Sequence, residues 1–389
     1  VRPADQTGNR IAMGQVALYG DNNRISVKVI YVTGESAGTS SLTVKDKISG
    51  IGVTKTVTVT NIPEGTYFIK NEYNGKVMDI EGPSTLDDAS IQVWSFTTSA
   101  NQKKWIVSLN SNGWYQIKSV YSGKYVGVEG NANSSNARIK QYSNGNQPGT
   151  MWRFHLDSSG GYLLIPKCAE NTGLVLSIPF SSTSNGEDLR LLSADSTHSE
   201  QRWVCSAILD GVPTSLSSNS SHTCIPCAIT NVAGYWSSHG YSGFSCSTPS
   251  SQEATAINVQ LAMSNNGTTN GHTQNNNIPT GYASITYSSN GIRYDFLSNI
   301  YWRDREGFKW NDLVNEINSG HPLMLGFASG SPYGVGHMTA CAGYEIRNDK
   351  LYVYISDAWS HDIYAIQEFR IDTYSDFICK VRVIEAHVA

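Results

Sequence analysis

The sequence predicts a multidomain chain, with two all-β segments followed by an α+β segment. Three observations predict it: period-two alternation over the first 60 or so residues, a threefold internal repeat through the middle, and helical patterns that precede strands beyond residue 210. At 389 residues the chain exceeds one ordinary domain, and 39% apolar content suffices for packed cores. Only 15% of residues are charged, while Gly (35) and Tyr (21) abound. Such a polar, uncharged surface is typical of bacterial β-rich proteins that are secreted or displayed at the cell surface. A net charge of −4 argues against nucleic-acid and anionic-membrane partners, both of which need basic patches. No apolar run approaches the roughly 18 to 20 residues of a membrane span. No signal peptide opens the chain at Val1, so export implies a mature or trimmed form.

Residues 1–61 read as a β-strand spacer. Strands are expected at Arg24–Thr33, Ser41–Val44 and Thr54–Thr60, separated by Gly and Asn clusters. The closing Lys55-Thr56-Val57-Thr58-Val59-Thr60 resembles the last strand of bacterial Ig-like spacer domains, which implies a partial Ig-like unit. A propeptide or plain β-spacer is the alternative, and the segment shows no chemistry.

Residues 62–209 carry the repeat. Gly65-Thr66-Tyr67-Phe68-Ile69-Lys70 recurs from Gly113 and again from Gly160, 48 and 47 residues apart. A second match inside each copy begins at Gly75, Gly123 and Gly173, and each copy closes on a Trp preceded by Gln: Trp105, Trp152 and Trp203. Three such units cannot bury their apolar faces singly but can do so around a pseudo-threefold axis. The pattern resembles the ricin-type β-trefoil lectin domain. That resemblance implies sugar sites built from an Asp after the Gly-Lys hairpin, a stacking aromatic ring, and an Asn-Gln pair before the closing Trp. The first repeat holds a full set in Asp79, Trp94, Asn101 and Gln102. The second has Gly127 in place of the Asp, keeping Tyr142 and Asn146, and the third has Ser177 and Leu192. One carbohydrate site is expected, in the first repeat. Trp105 reads as a core residue.

Residues 210–389 begin with a Ser- and Asn-rich linker. Helices are expected at Cys227–Trp236, Gln252–Met263 and Trp310–Ile317, then strands at Pro322–Phe327, His337–Tyr344, Leu351–Ser356, Glu368–Ile371 and Lys380–Glu385. Cys224 lies at a helix start, where the positive end of the macrodipole favours a thiolate. His337 opens a strand and Asp357 ends the next. Antiparallel pairing through the turn at 347–350 would bring them together as nucleophile, base and orienter.

These residues resemble the leader-peptidase-like and streptopain-like branch of bacterial papain-superfamily cysteine peptidases. The matching positions are Cys224, Pro226, Ala228, Tyr235, His337, Gly343, Tyr344, Asp357 and Trp359. The resemblance implies an α+β papain-like domain with Cys224, His337 and Asp357 as catalytic residues. Asp362 is the backup acid. Two departures stand out. No Gln precedes the nucleophile to donate to an oxyanion, Asn219 being the nearest amide, and Cys227 replaces a small residue. Cys224-Ile225-Pro226-Cys227 also admits a thioredoxin-type motif, half a zinc site with His222, His239 or Cys246, or Cys227 as the attacker. Helix-face counting favours Cys224, which places Ala228, Val232 and Tyr235 inward.

Seven cysteines in an oxidising compartment suggest three disulfides and one reactive thiol. The expected pairs are Cys168–Cys205, Cys341–Cys379 and Cys227–Cys246, the last analogous to a staple in papain, leaving Cys224 unbridged. The reading is a monomeric secreted cysteine endopeptidase that takes protein or glycoprotein substrates and is targeted to glycans by its trefoil. It needs no cofactor and no metal. The competing reading is a glycan-binding adhesin or toxin module with an inactive peptidase fold.

Overall fold

The computed structural model describes residues 13–14, 30–31, 38–45, 52–59, 62–157, 161–217, 223–264, 277–289, 292–302, 310–327, 336–347, 350–358, 366–368 and 375–387. It divides into two units, one of residues 1–96, 100–205 and 347–349, the other of residues 97–99, 206–346 and 350–389. In the spacer, Gly38–Lys45 and Gly52–Val59 form an antiparallel hairpin and Met13–Gly14 pairs with Ile30–Tyr31. These pairings do not establish an Ig-like sandwich.

The three repeats are built from four short strands each, with an extra two-residue strand at Glu187–Asp188 in the third, and a 3₁₀ turn precedes the closing strand of every repeat, as the internal repeat predicts. The hairpin glycines Gly75, Gly123 and Gly173 hold φ of +69°, +69° and +72°, which side chains rarely adopt. Each closing Trp is fully buried, and its indole N–H donates into the second strand of its own repeat. Trp105 reaches the Met78 carbonyl at 3.0 Å, Trp152 that of Val126 at 2.9 Å, and Trp203 that of Leu176 at 3.1 Å. The same bond, made three times, is the pseudo-threefold core. Removing one Trp leaves a cavity and an unpaired carbonyl. Trp203→Ala should therefore cost about 3–5 kcal/mol, read as a lowered denaturant midpoint at unchanged slope.

In the second unit, helices α1 (Cys224–Ser238), α2 (Pro249–Met263) and α3 (Ile278–Ala283) pack together. Strands β1 (Tyr287–Ser289) and β2 (Ile292–Trp302) follow, then α4 (Trp310–Asn318) and β3 (Leu323–Phe327). The chain ends through β4 (His337–Arg347), β5 (Lys350–Ser356), β6 (Ile366–Glu368) and β7 (Ser375–His387). The antiparallel order is β1-β2-β7-β3-β4, and β6 pairs with β5. Helix α3 and the β1–β2 hairpin were not expected from the sequence. The alternation of Ile292, Tyr294 and Phe296 with Arg293 and Asp295 was present in β2, whereas six-residue α3 is too short to show a period.

Thr248 caps α2 through a reciprocal box with Ser251, and Pro249 supplies the first turn. Helix α1 is buried on nearly every side, including Asn231 and Gly234 as well as Ala228 and Val232. Face counting therefore does not separate Cys224 from Cys227, because an all-round buried helix has no solvent face.

The expected disulfides are absent among the described residues: Cys168, Cys205, Cys224, Cys227, Cys246 and Cys341 are thiols. The topology explains each failure. Tyr162 pairs with Trp203, so Cys205 runs away from Cys168, which lies beyond the other end of that strand with its Sγ on the Ala132 carbonyl. Strand β3 lies between Cys341 on β4 and Cys379 on β7, pairing Leu323 with Cys341 and Met324 with Cys379. That spacing of about two strand separations, near 9.6 Å, exceeds a disulfide's reach. The Cys246 carbonyl packs at Gly234, about two helical turns from Cys227 in the first turn of α1.

Candidate functional site

The peptidase-unit site is assembled by α1, β4 and β5. Cys224 is the first residue of α1, preceded by Thr223 in extended conformation (φ −94°, ψ −177°). Gln260 of α2 fixes that entry, its Oε1 accepting from Thr223 N–H at 3.0 Å and from the Thr223 hydroxyl at 3.2 Å. This buttress was not legible in the sequence, since Gln260 lies 37 residues after Thr223. Cys224 is half-buried, and the Met338 amide donates to its sulfur, setting the thiol against the residue after His337.

His337 and Asp357 are each 5% exposed. The ring Nε2 lies 2.8 Å from the Asp357 main-chain carbonyl. A carbonyl only accepts, so Nε2 carries the proton and Nδ1 is the basic nitrogen. The main chain thus makes a bond that the sequence reading assigned to the carboxylate, while the Asp357 charge acts on the ring from close by. Burial pushes the imidazole below its ordinary value of 6.5, with the Asp357 carbonyl and charge opposing. Burial also pushes the Cys224 thiol up, outweighing amide donation from Met338 and Ile225. Burial therefore works against a resting thiolate at this helix start. Desolvation wins over the dipole.

The supporting motif residues have structural reasons. Tyr235 donates to the Gly320 carbonyl at 2.8 Å, tying the far end of α1 to the turn after α4. A side chain at Gly343 would collide with the Ala207 backbone. Cys227 is fully buried among Leu216, Ala256 and Ala358. Asn219, His222, Trp359 and Asp362 lie outside the described residues. No cluster able to hold a metal occurs among the described residues.

In the first trefoil repeat, strand pairing sets Val77 opposite Trp94 and Asp79 opposite Gln92, placing all four on one face. Gln92 donates to Asp79 Oδ2 at 2.9 Å, while Asp79 Oδ1 is buried with no partner. Trp94 is 40% exposed. The turn Asn101–Lys103 packs against the Asp79 strand, with Asn101 exposed and Gln102 half-buried. Buried Lys103 donates to the Ser95 carbonyl at 2.8 Å and acts electrostatically on Asp79. Even so, burial raises the Asp79 carboxyl above its ordinary range. Gln92 was missed in sequence, although its offset of two from Trp94 places it on the same face. Gly186 approaches Gln92 and Trp94 from the third repeat, and its φ of +83° is one that side chains rarely adopt.

The same register aligns Gly127 with Lys140 and Ser177 with Arg190. A Cβ at Gly127 would lie 2.6 Å from the Thr150 methyl and 3.0 Å from the Tyr142 ring, so no carboxylate fits there. The Ser177 hydroxyl is buried and turned onto the Ile178 carbonyl at 3.1 Å.

The chain thus joins a β-trefoil to an α+β unit in which a helix-borne thiol lies against Met338, the residue that follows a strand-borne histidine, an arrangement compatible with a cysteine peptidase. Two family profiles agree. "Ricin-type beta-trefoil lectin domain-like" matches residues 56–142 and 101–192, and "Peptidase_C39 like family" matches residues 210–377. Residues 56–192 are thus similar to the ricin-type β-trefoil lectin family, and residues 210–377 to the C39-like peptidase family. Similar solved structures include the designed threefold-symmetric protein ThreeFoil, at 27% identity and TM-score 0.33, covering 36% of this chain and 96% of that one. The Rhizoctonia solani agglutinin has 18% identity and TM-score 0.33, covering 37% and 96%. The Macrolepiota procera ricin B-like lectin in complex with lactose has 21% identity and TM-score 0.31, covering 37% and 96%. No curated protein matches the chain.

Proposed function

We propose that the protein is a secreted bacterial cysteine endopeptidase, directed to glycosylated substrates by the sugar site of its first trefoil repeat. The observation that carries the reading is the 2.8 Å bond from His337 Nε2–H to the Asp357 carbonyl, beside a thiol contacted by Met338. Nδ1 of His337 takes the Cys224 proton as the sulfur attacks the scissile carbonyl. Cys224 N–H, one of the orphan donors at a helix start, stabilises the oxyanion. The imidazolium then protonates the leaving amine, and water, deprotonated by the same ring, releases the acyl group. Asp357 positions the ring and stabilises its charged form. In the trefoil, Asp79 accepts sugar hydroxyls, Trp94 stacks on the pyranose, and Asn101 and Gln102 donate and accept.

Digestion of casein, with and without a thiol-alkylating inhibitor, tests the enzyme reading. Inhibitor-sensitive cleavage supports it, and no cleavage by the reduced protein supports an adhesin or toxin module instead. The absence of Gln in Ser217–Ser221 favours that second reading.

The acid limb of the rate profile follows from His337. Attack requires the neutral imidazole, whose pKa burial holds below 6.5. Activity is therefore retained as pH falls to 6.5 and lost further down, as the ring protonates. A kcat/KM profile with an acid midpoint above 6.5 would contradict this assignment.

A further inference from the structure

We propose that Cys224 and Cys227 form a reversible intramolecular disulfide that blocks the nucleophile under oxidising conditions and protects it from irreversible oxidation; this rests on Cys224 being the attacking thiol. Cys246 packs two turns along α1 at Gly234, and Cys341 lies within β4, so among the cysteines of this unit it is Cys224 that sits one turn from Cys227. Cys224 and Cys227 are the first and fourth residues of α1, three apart on one helix. Neighbours at that spacing have Cβ atoms about 5–6 Å apart, and a bridge needs roughly 3.5–4.5 Å. The closure is small, and it falls where the chain can give. Cys224 N–H has no partner within the helix, Thr223 makes no side-chain cap, and Cys227 N–H reaches the Thr223 carbonyl at a long 3.2 Å. Burial pushes the Cys227 thiol up, and a charge on Cys224 would add to that rise, as expected of close neighbours.

Burial sets the order of events. Cys227 is fully buried and Cys224 is half-buried, so an outside oxidant meets Cys224 first. With a low-molecular-weight disulfide RSSR as oxidant, the Cys224 thiolate attacks one sulfur, forming Cys224–S–SR and releasing RS⁻. Cys227 then loses its proton and attacks the Cys224 sulfur, expelling the second RS⁻. Two protein thiols are oxidised and one RSSR is reduced to two RSH. A dithiol reductant reverses both steps. Peroxide follows the same course through a Cys224 sulfenic acid, with water as the leaving product.

The test treats the reduced full-length protein with oxidised glutathione and follows casein hydrolysis alongside mass mapping of unreduced peptides. The expected result is a Cys224–Cys227 bridge, loss of activity, and full recovery with dithiothreitol. Cys227→Ala, in the apolar cluster of Leu216, Ala256 and Ala358, should keep basal activity, accumulate glutathione on Cys224 instead, and lose activity irreversibly to peroxide that the wild type survives. A persistent glutathione adduct on wild-type Cys224, or bridging to another cysteine, overturns the inference while leaving the nucleophile assignment standing. A Cys224–Cys227 bridge with undiminished activity supports the disulfide and rejects Cys224 as the nucleophile.

Discussion

Cys224→Ala should reduce proteolysis to background, a fall of about 10³-fold or more, as expected when a covalent nucleophile is removed. The fold should survive. The side chain is half-buried at the first residue of α1, and the Gln260 contacts that fix the helix entry belong to Thr223. An unchanged denaturation midpoint with no turnover is the expected pairing of results. Cys227→Ala should keep activity, because Cys227 faces Leu216, Ala256 and Ala358 rather than the histidine strand. Loss in Cys227→Ala with retained cleavage in Cys224→Ala would reverse the assignment.

The second large effect is expected at Asp79. Replacing it by Ala should weaken sugar binding by roughly 10- to 100-fold, the loss of about 1.5–3 kcal/mol attached to hydrogen bonds with a charged group. Binding should be indifferent to changes at Tyr142, whose repeat has no room for a carboxylate at Gly127. Activity on glycoproteins should fall with the sugar affinity, and activity on short peptides should not. Stability should move the other way in Asp79→Asn. Burial raises the Asp79 pKa above 3.8, so this group favours the folded state below that value and loses the benefit as pH rises through its folded pKa. At neutral pH the ionised carboxylate is thus carried at a cost, with Oδ1 unpartnered. Asp79→Asn should melt no lower than the wild type at neutral pH while failing to bind, measured by thermal unfolding beside a glycan array. A binding-competent Asp79→Asn would place the site elsewhere.

Much of this was legible from residues alone. The trefoil announces itself because each repeat must place Gly at a positive-φ hairpin and Trp under the same carbonyl, and such constraints recur at a fixed period. The neighbourhood of His337 and Asp357 follows from strand order. What escaped was whatever depends on distant or backbone partners. The Asp357 carbonyl as the histidine's partner has no side-chain signature, and neither does Gln260 under Thr223. The thiolate expectation failed because a helix start was weighed without the desolvation that burial imposes. The disulfide scheme failed for a similar reason. Pairing cysteines by proximity in sequence ignored the intervening β3 strand and the length of α1.

The identity of the nucleophile is tested most directly by active-site labelling. The reduced protein is titrated with an irreversible peptidyl thiol electrophile, and residual casein hydrolysis is compared with the mass-mapped position of the adduct. The account predicts one adduct per chain, on Cys224, with activity lost in proportion to its formation and labelling suppressed in His337→Ala. An adduct on Cys227, or full labelling of Cys224 with undiminished hydrolysis, would contradict it.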